Sequence, residues 1–451
     1  MAVDETLVPT AGHRLGRTLT GNFALAATVG GIIGLGILRG PGEIAEVITN
    51  PWRYLLLWLL VGLFVLLSTV VVAELIGMTP RSGGPYALVR QAYGPYPGFV
   101  IGWVDWLSFA ADIALKAVVI IEFTALLIPA AGGWHTELAV IVTTLFAAIQ
   151  LRGVALSAGI LEISTAIIGL AIVAFALLLM FAGGPGISAS GMTPALQSSA
   201  QAWSFVIAAI VFTYDGWTYA AYFSGETKGG AVDVARSCIR GVVVIIALYL
   251  FLNVAMLKSV GLAALAGQDL ALAHALELAV SPLVANTVVI AAIVILLSHQ
   301  NLSYMGAPRI LHALSADGLA MRRAQTIGRG GNPVFAVLIT WALAVALIFV
   351  GGFEFLLLLC VFFFIPLYMA LIAGVLILRH RAPGVERPFR AWGHPWSTSF
   401  VLLGWTLITA FQAYAERETA LYALAMVAVS LPVYHYLYRK KANQQAKHCA
   451  Y

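Results

Sequence analysis

The chain has 451 residues, 61% of them hydrophobic and 10% charged, with a mean hydropathy of +0.94. Soluble domains carry about 25% charged residues, so a water-facing surface of ordinary composition is excluded and an all-α integral membrane protein is expected. The three scattered cysteines, Cys238, Cys360 and Cys449, exclude a disulfide framework or a zinc site, and neither a metal nor a cofactor is expected.

Residues 1–20 lack the short apolar core of a cleavable signal, so none is expected ahead of the first apolar segment. A bilayer-crossing helix needs about 20 largely apolar residues, and the apolar runs here are continuous rather than alternating, which selects helices over a barrel. In chain order the expected spans lie near 20–47, 54–73, 97–129 and 134–151. Two more share the stretch 163–214, divided by a Gly/Pro/Ser-rich loop at 183–201. The rest lie at 241–257, 278–308, 332–353, 355–378, 391–415 and 419–438, which makes twelve.

With both termini placed in the cytoplasm, twenty of the 25 Lys and Arg fall on cytoplasmic ends and loops. Only Arg39, Arg53, Lys116, Lys258 and Arg417 do not. The positive-inside rule supports that orientation and an even count. Topology thus accounts for the net charge of +5 without a nucleic-acid surface.

Two spans depart from the uniform apolar pattern. The first carries Gly30-Gly31-Ile32-Ile33-Gly34-Leu35-Gly36-Ile37, then Pro41-Gly42; the sixth carries Phe212-Thr213-Tyr214-Asp215-Gly216-Trp217. Clustered glycines favour unwinding, and a mid-membrane carboxylate such as Asp215 is costly in an inert helix. Interruptions at corresponding places five helices apart point to a secondary transporter built from inverted repeats. The expected organisation is a tail (1–19), a first repeat (20–182), a second repeat (201–380), helices 11 and 12 (391–438) and a cytoplasmic tail (439–451).

An unwound helix bares amide N–H groups on one half and carbonyls on the other, the first suited to a carboxylate and the second to an ammonium. An α-amino acid offers both on one carbon. Gly34-Leu35-Gly36 admits a carboxylate against the backbone without a Cβ in the way, and the carbonyls of Ile32, Phe212 and Thr213 are candidates for the amine. Two simpler roles stand beside these: Gly30 and Gly34 as a GxxxG helix contact, and Asp215 as a cap on the second half of its span.

At these residues the chain resembles the amino acid–polyamine–organocation superfamily, specifically bacterial amino-acid permeases and the light-chain subunits of heteromeric amino-acid transporters. The resemblance rests on Gly31 to Ile37 with Pro41-Gly42, Pro80-Arg81-Ser82-Gly83-Gly84-Pro85-Tyr86, Tyr214-Asp215-Gly216-Trp217 with Glu226, Pro308-Arg309, Ala316-Asp317-Gly318 and Arg387-Pro388-Phe389-Arg390. It implies twelve helices in an inverted five-helix repeat with discontinuous helices 1 and 6, two appended helices and alternating access in an inner or plasma membrane. It also implies an amino-acid substrate bound by Ile32, Ile33, Gly34, Leu35, Gly36, Ile37 and by Phe212, Thr213, Tyr214, Asp215, Gly216, Trp217, with Trp217 walling or gating the side-chain pocket. The light-chain subunits pair with a glycoprotein through an extracellular cysteine; none of the three cysteines here falls outside, so no such bond is expected.

Many sodium-independent members carry a lysine midway along span 5, where this chain has Ile168. Its unusual charges lie in span 3 instead: Asp105, Asp112, Lys116 and Glu122. Asp112 and Lys116, four apart on one face, read either as a static pair or, with Glu162, as groups that couple transport to a proton. In span 8, Ser298-His299-Gln300-Asn301 and Ser303 form a polar patch expected to face the bundle, with His299 a satisfied structural residue. Trp52, Trp134 and Trp396 suit the membrane interface. No HExxH motif or nucleophile–base constellation supports an enzyme. A sensor that binds without transporting, and a polyamine or nucleobase carrier, remain the other readings.

Overall fold

The computed structural model describes residues 19–79, 84–187, 199–328 and 331–448. Residues 80–83 of the Pro80–Tyr86 motif, Arg14, Arg17, Arg329 and Cys449 lie outside them. Among the described residues the regular structure is helical, with two isolated bridges, Leu19 with Thr227 and Ile327 with Pro333.

The first apolar segment forms two helices, α1 (Gly21–Ile32) and α2 (Leu35–Val47). Thr20 caps α1 by accepting from the Phe23 amide, and Asn50 caps α3 (Pro51–Met78) by accepting from the Trp52 and Arg53 amides. Then come α4 (Gly84–Tyr93), α5 (Pro95–Leu127), α6 (His135–Arg152) and α7 (Val154–Phe181). The next apolar segment forms α8 (Ala200–Thr213) and, after a turn, a 3-10 helix over Tyr219–Phe223. The chain continues with α9 (Gly230–Val260), the short α10 (Leu262–Leu265) and α11 (Ala271–Ala279), then α12 (Pro282–Ala316), α13 (Val334–Ile348) and α14 (Phe353–Arg381). The last three are α15 (Trp396–Ala415), α16 (Arg417–Ala428) and α17 (Ser430–His448); α16 and α17 run on through Val429, whose dihedrals are helical, so Arg417–Arg439 is one apolar segment as expected.

Among the described residues, nine helical segments are long and apolar enough to cross a membrane, and α8 and α13 are shorter apolar helices. The 33-residue α5 is long enough, at about 1.5 Å per residue, but carries four charges. Leu56, Leu60, Ile163, Ile167, Leu170, Leu403, Leu407, Leu421 and Leu424 point outward on α3, α7, α15 and α16. Apolar surface of that extent on the outside of a bundle is a lipid-facing surface.

Charges and polar groups point inward instead. α5 and α14 lie at the centre, with α5 packed against α12, α13 and α14. Four ion pairs tie the Glu226 end of the bundle: Arg309 Nε and Nη2 donate to the Glu226 carboxylate at 2.9 and 3.0 Å, Arg379 and Arg387 both reach Glu74, and Arg90 pairs with Asp317. The Leu19 amide donates to the Glu226 carbonyl and the Leu19 carbonyl accepts from the Lys228 amide, so the start of α1 is held there too. At the opposite end Arg39 bonds Glu43, Glu122 and Asp269, with its guanidinium 3.7 Å over the Phe353 ring. Both ends are therefore closed by charge-assisted contacts.

Candidate functional site

The interruption in the first segment is two residues long. Ile33 and Gly34 are extended, with φ/ψ of −71°/97° and −148°/−147°. No side chain caps α2 at Gly34, so the amides of its first turn have no partner within the helix. The helix dipole adds partial positive charge at the same place. On the other half, the Ile32 carbonyl accepts from the Tyr249 hydroxyl at 2.9 Å.

The second interruption follows Thr213. Residues 214–218 turn, and Gly216 has φ +95°, a conformation that L side chains rarely adopt. Asp215 does not cap a helix here: Thr218 precedes the 3-10 helix and makes no side-chain cap bond, and the Asp215 carboxylate accepts from the Tyr368 hydroxyl.

The two interruptions meet. A Cβ on Gly216 would fall 2.3 Å from the Gly31 carbonyl oxygen, one on Gly36 would fall 2.3 Å from Thr213 Cα, and one on Gly31 would strike the Tyr219 ring. Gly36 is where α2 meets α8, and Gly216 is where the turn after α8 meets α1, in both cases backbone to backbone. The close approach at Gly34 is made instead by His299, whose Nδ1 would lie 2.3 Å from an added Cβ. Gly34 therefore makes no small-residue helix contact of the GxxxG kind, because its neighbour is an imidazole ring.

Beside the second interruption lies a small cavity of about 20 Å³, lined by both polar and apolar groups, with room for about one water. Its walls are Asp105, Ser108, Phe109 and Asp112 of α5, Phe212, Asp215, Gly216, Thr218, Tyr219 and Tyr222, and Cys360, Phe364, Leu367 and Tyr368 of α14. Of the expected binding residues, Phe212, Asp215 and Gly216 line it. Ile32, Ile33, Gly34, Leu35, Gly36 and Ile37 are buried against the other side of the crossing and do not. Thr213 donates to the Ala209 carbonyl, and Tyr214 turns away to donate to the Trp58 carbonyl at 2.9 Å. Trp217 is wholly buried behind Tyr368, ring centroids 4.6 Å apart, so Tyr368 rather than Trp217 forms the wall. The α14 contribution was not foreseen; its only signal is a tyrosine and Pro366 within an otherwise apolar run.

The span 3 charges separate into two kinds. Lys116 is fully buried and pairs with Asp112, while Ser303 of α12 donates to Asp112 at 2.7 Å and receives from Lys116 at 3.3 Å. Glu162 takes no part in this network; it accepts from Thr20 at 3.2 Å on the outside of the bundle. Asp105 has no counter-ion among the described residues: it accepts from the Tyr222 hydroxyl at 2.6 Å, and its second oxygen has no partner. His299 is not the satisfied residue expected, since it is buried with both ring nitrogens unpartnered. Ile168 lines an apolar crevice with Leu38, Ile172, Leu272 and Ile295, and no polar group takes the place of the missing lysine there.

Removing one member of a buried pair leaves a naked charge, which costs about 3–5 kcal/mol. Lys116→Met is therefore expected to lower thermal stability in detergent by that order, and Ser303→Ala by only about 1 kcal/mol. A Lys116→Met variant as stable as the wild type would show that Asp112 needs no counter-charge.

A multi-pass helical membrane protein with two crossed, interrupted helices is a permease-type architecture, and sequence comparison names the family. The amino acid permease family model matches residues 23–433, and the chain belongs to that family. It is 25% identical to the serine/threonine exchanger of Bacillus subtilis over 435 residues, 93% of this chain and 97% of that protein. It is 25% identical to the gamma-aminobutyric acid permease of the same organism, covering 69% of this chain and 67% of the relative. The mouse b(0,+)-type amino acid transporter 1 is 24% identical over 236 residues, half of this chain and 48% of the relative.

Proposed function

We propose that this permease is a secondary transporter that carries α-amino acids by alternating access. The observation that carries the reading is the crossing of the two interruptions at Gly31 and Gly216, because backbone bared at one point offers both donors and acceptors to a zwitterion. The uncapped first turn of α2 is the carboxylate cradle, and the Phe212 and Thr213 carbonyls with Asp215 receive the ammonium. The Ile32 carbonyl is held by Tyr249, so it joins only if that bond opens. His299, unpartnered and seated on Gly34, is a further donor for the carboxylate.

The repeat reading has its own support. The first broken helix packs on the second, α3 on α9, α5 on α12 and α6 on α13. Each pairs a segment with its counterpart five spans later, as a two-fold axis in the membrane plane produces. We accordingly read twelve spans with cytoplasmic termini, domains 20–182 and 201–380 as the repeats and 391–438 as the appendage. In this reading Arg39 closes one face and Arg309–Glu226 the other, so the conformation is occluded.

The test is uptake and exchange of radiolabelled L-serine and L-threonine, then a wider amino-acid panel with putrescine, in proteoliposomes. Saturable flux of an α-amino acid is the expected result. Saturable binding without flux makes the protein a sensor, and flux of putrescine alone makes it a polyamine carrier.

A further inference from the structure

We propose that Asp105 is a proton-binding site that loads and discharges as the carrier cycles. The coupling part of this rests on the transport reading above; the proton-binding part does not.

Three carboxylates, Asp105, Asp112 and Asp215, line one cavity, and the buried Lys116 ammonium is engaged by Asp112. Asp215 at least sits on the turn, with the Tyr368 hydroxyl donating to it. Asp105 is 3% exposed, has a single neutral donor and a bare second oxygen, and no Lys, Arg or His among the described residues forms an ion pair with it. An ionised carboxylate so placed is costly. A proton on the bare oxygen removes the charge without disturbing the Tyr222 bond. The cavity holds about one water, which suits proton exchange and leaves no space for an organic amine.

Among the described residues, the ionisable groups on the surrounding elements leave no other counter-charge. The 214–223 segment brings Asp215, Tyr219 and Tyr222, and α14 brings Cys360 and Tyr368. α4 brings Tyr86 and Arg90, both bound to Asp317. α12 brings His299, Tyr304, Arg309, which Glu226 engages, and His312, which meets the Ala324 carbonyl, and α5 itself brings Asp112 and Lys116.

The geometry also supplies the switch. Tyr222, the donor to Asp105, follows Gly216 on the broken segment, and its ring packs where a Cβ on Gly84 would lie, at 2.3 Å. Movement of this segment withdraws the donor and admits water. Asp105–COOH then yields carboxylate and a proton taken up by water; reloading reverses the step, and nothing is oxidised or reduced.

The test uses two readouts on full-length protein. Infrared difference spectra of wild type against Asp105→Asn at neutral pH are expected to show a protonated-carboxyl C=O band present only in the wild type. In proteoliposomes, an outside-acid gradient is expected to drive L-threonine accumulation in the wild type, with a ceiling of about tenfold per pH unit for one proton per substrate. The ratio of uptake with the gradient to uptake without it is expected to fall to about one in Asp105→Asn, and to be restored in part by Asp105→Glu. Absence of the infrared band, or an Asp105→Asn ratio equal to that of the wild type, overturns the proposal. If no amino acid is taken up at all, the transport reading fails while the infrared band still decides whether Asp105 holds a proton.

Discussion

Replacing Gly216 by alanine is expected to abolish uptake and to lower stability. The φ of +95° is costly for any L side chain, by about 1–2 kcal/mol. The new Cβ would also meet the Gly31 carbonyl oxygen at 2.3 Å, and backbone, unlike a side chain, has no rotamer with which to withdraw. Overpacking of that kind adds about 1–3 kcal/mol. A shift of about 1.4 kcal/mol in the conformational balance already changes a rate or population tenfold, so uptake falls at least about tenfold. Gly36→Ala meets Thr213 Cα and is expected to behave similarly, whereas Gly34→Ala meets only the His299 ring, which can swing aside. Gly21→Ala has open space around it and serves as the control. Uptake assays with thermal unfolding in detergent distinguish the four; a Gly216→Ala protein that transports normally would remove the crossing from the mechanism.

Breaking the Arg309–Glu226 pair is the second large effect expected. Both side chains are almost fully buried, the contact is bidentate, and the guanidinium lies 4.8 Å from the Phe223 ring centroid. Arg309→Met removes the guanidinium from a buried carboxylate and costs about 3–5 kcal/mol. Arg309→Met with Glu226→Gln removes both charges and recovers most of it. Arg309→Lys does not, because an ammonium cannot reproduce the fork. The double-mutant cycle is read by thermal unfolding; additive single effects would mean the pair contributes nothing as a pair. The contact joins α12 to the loop after the second interruption, the loop that also binds Leu19. Loosening it therefore frees the Glu226 end of both broken helices together.

The expected outer behaviour of the chain was legible because lipid imposes a one-dimensional rule: backbone must be satisfied within each segment, so apolar length alone marks a helix. The interruptions were legible for a related reason. Gly34 with Gly36, and Asp215 with Gly216, are residues that an uninterrupted apolar helix does not favour, and each sits within two residues of an observed break. Local composition also marked the Asp112–Lys116 pair, since four residues is one helical turn.

Local composition did not show which side of the crossing would be hollow. The glycines of the first segment have no Cβ to cover their backbone, yet Thr213 and His299 fill the space over Gly36 and Gly34. The cavity opens instead toward α14, a helix whose sequence is too uniformly apolar to advertise a site. The same holds for the charges of span 3. Asp105 and Asp112 are a heptad apart on one face and look alike in sequence, but a lysine one turn away and a serine on α12 satisfy one of them. The other meets only a tyrosine from the broken segment. The sequence by itself determined where the long apolar helices lie and where two of them part, because each depends on the residues of a single segment. The tertiary structure decided which groups meet across segments, and so which buried charge has a partner and which does not.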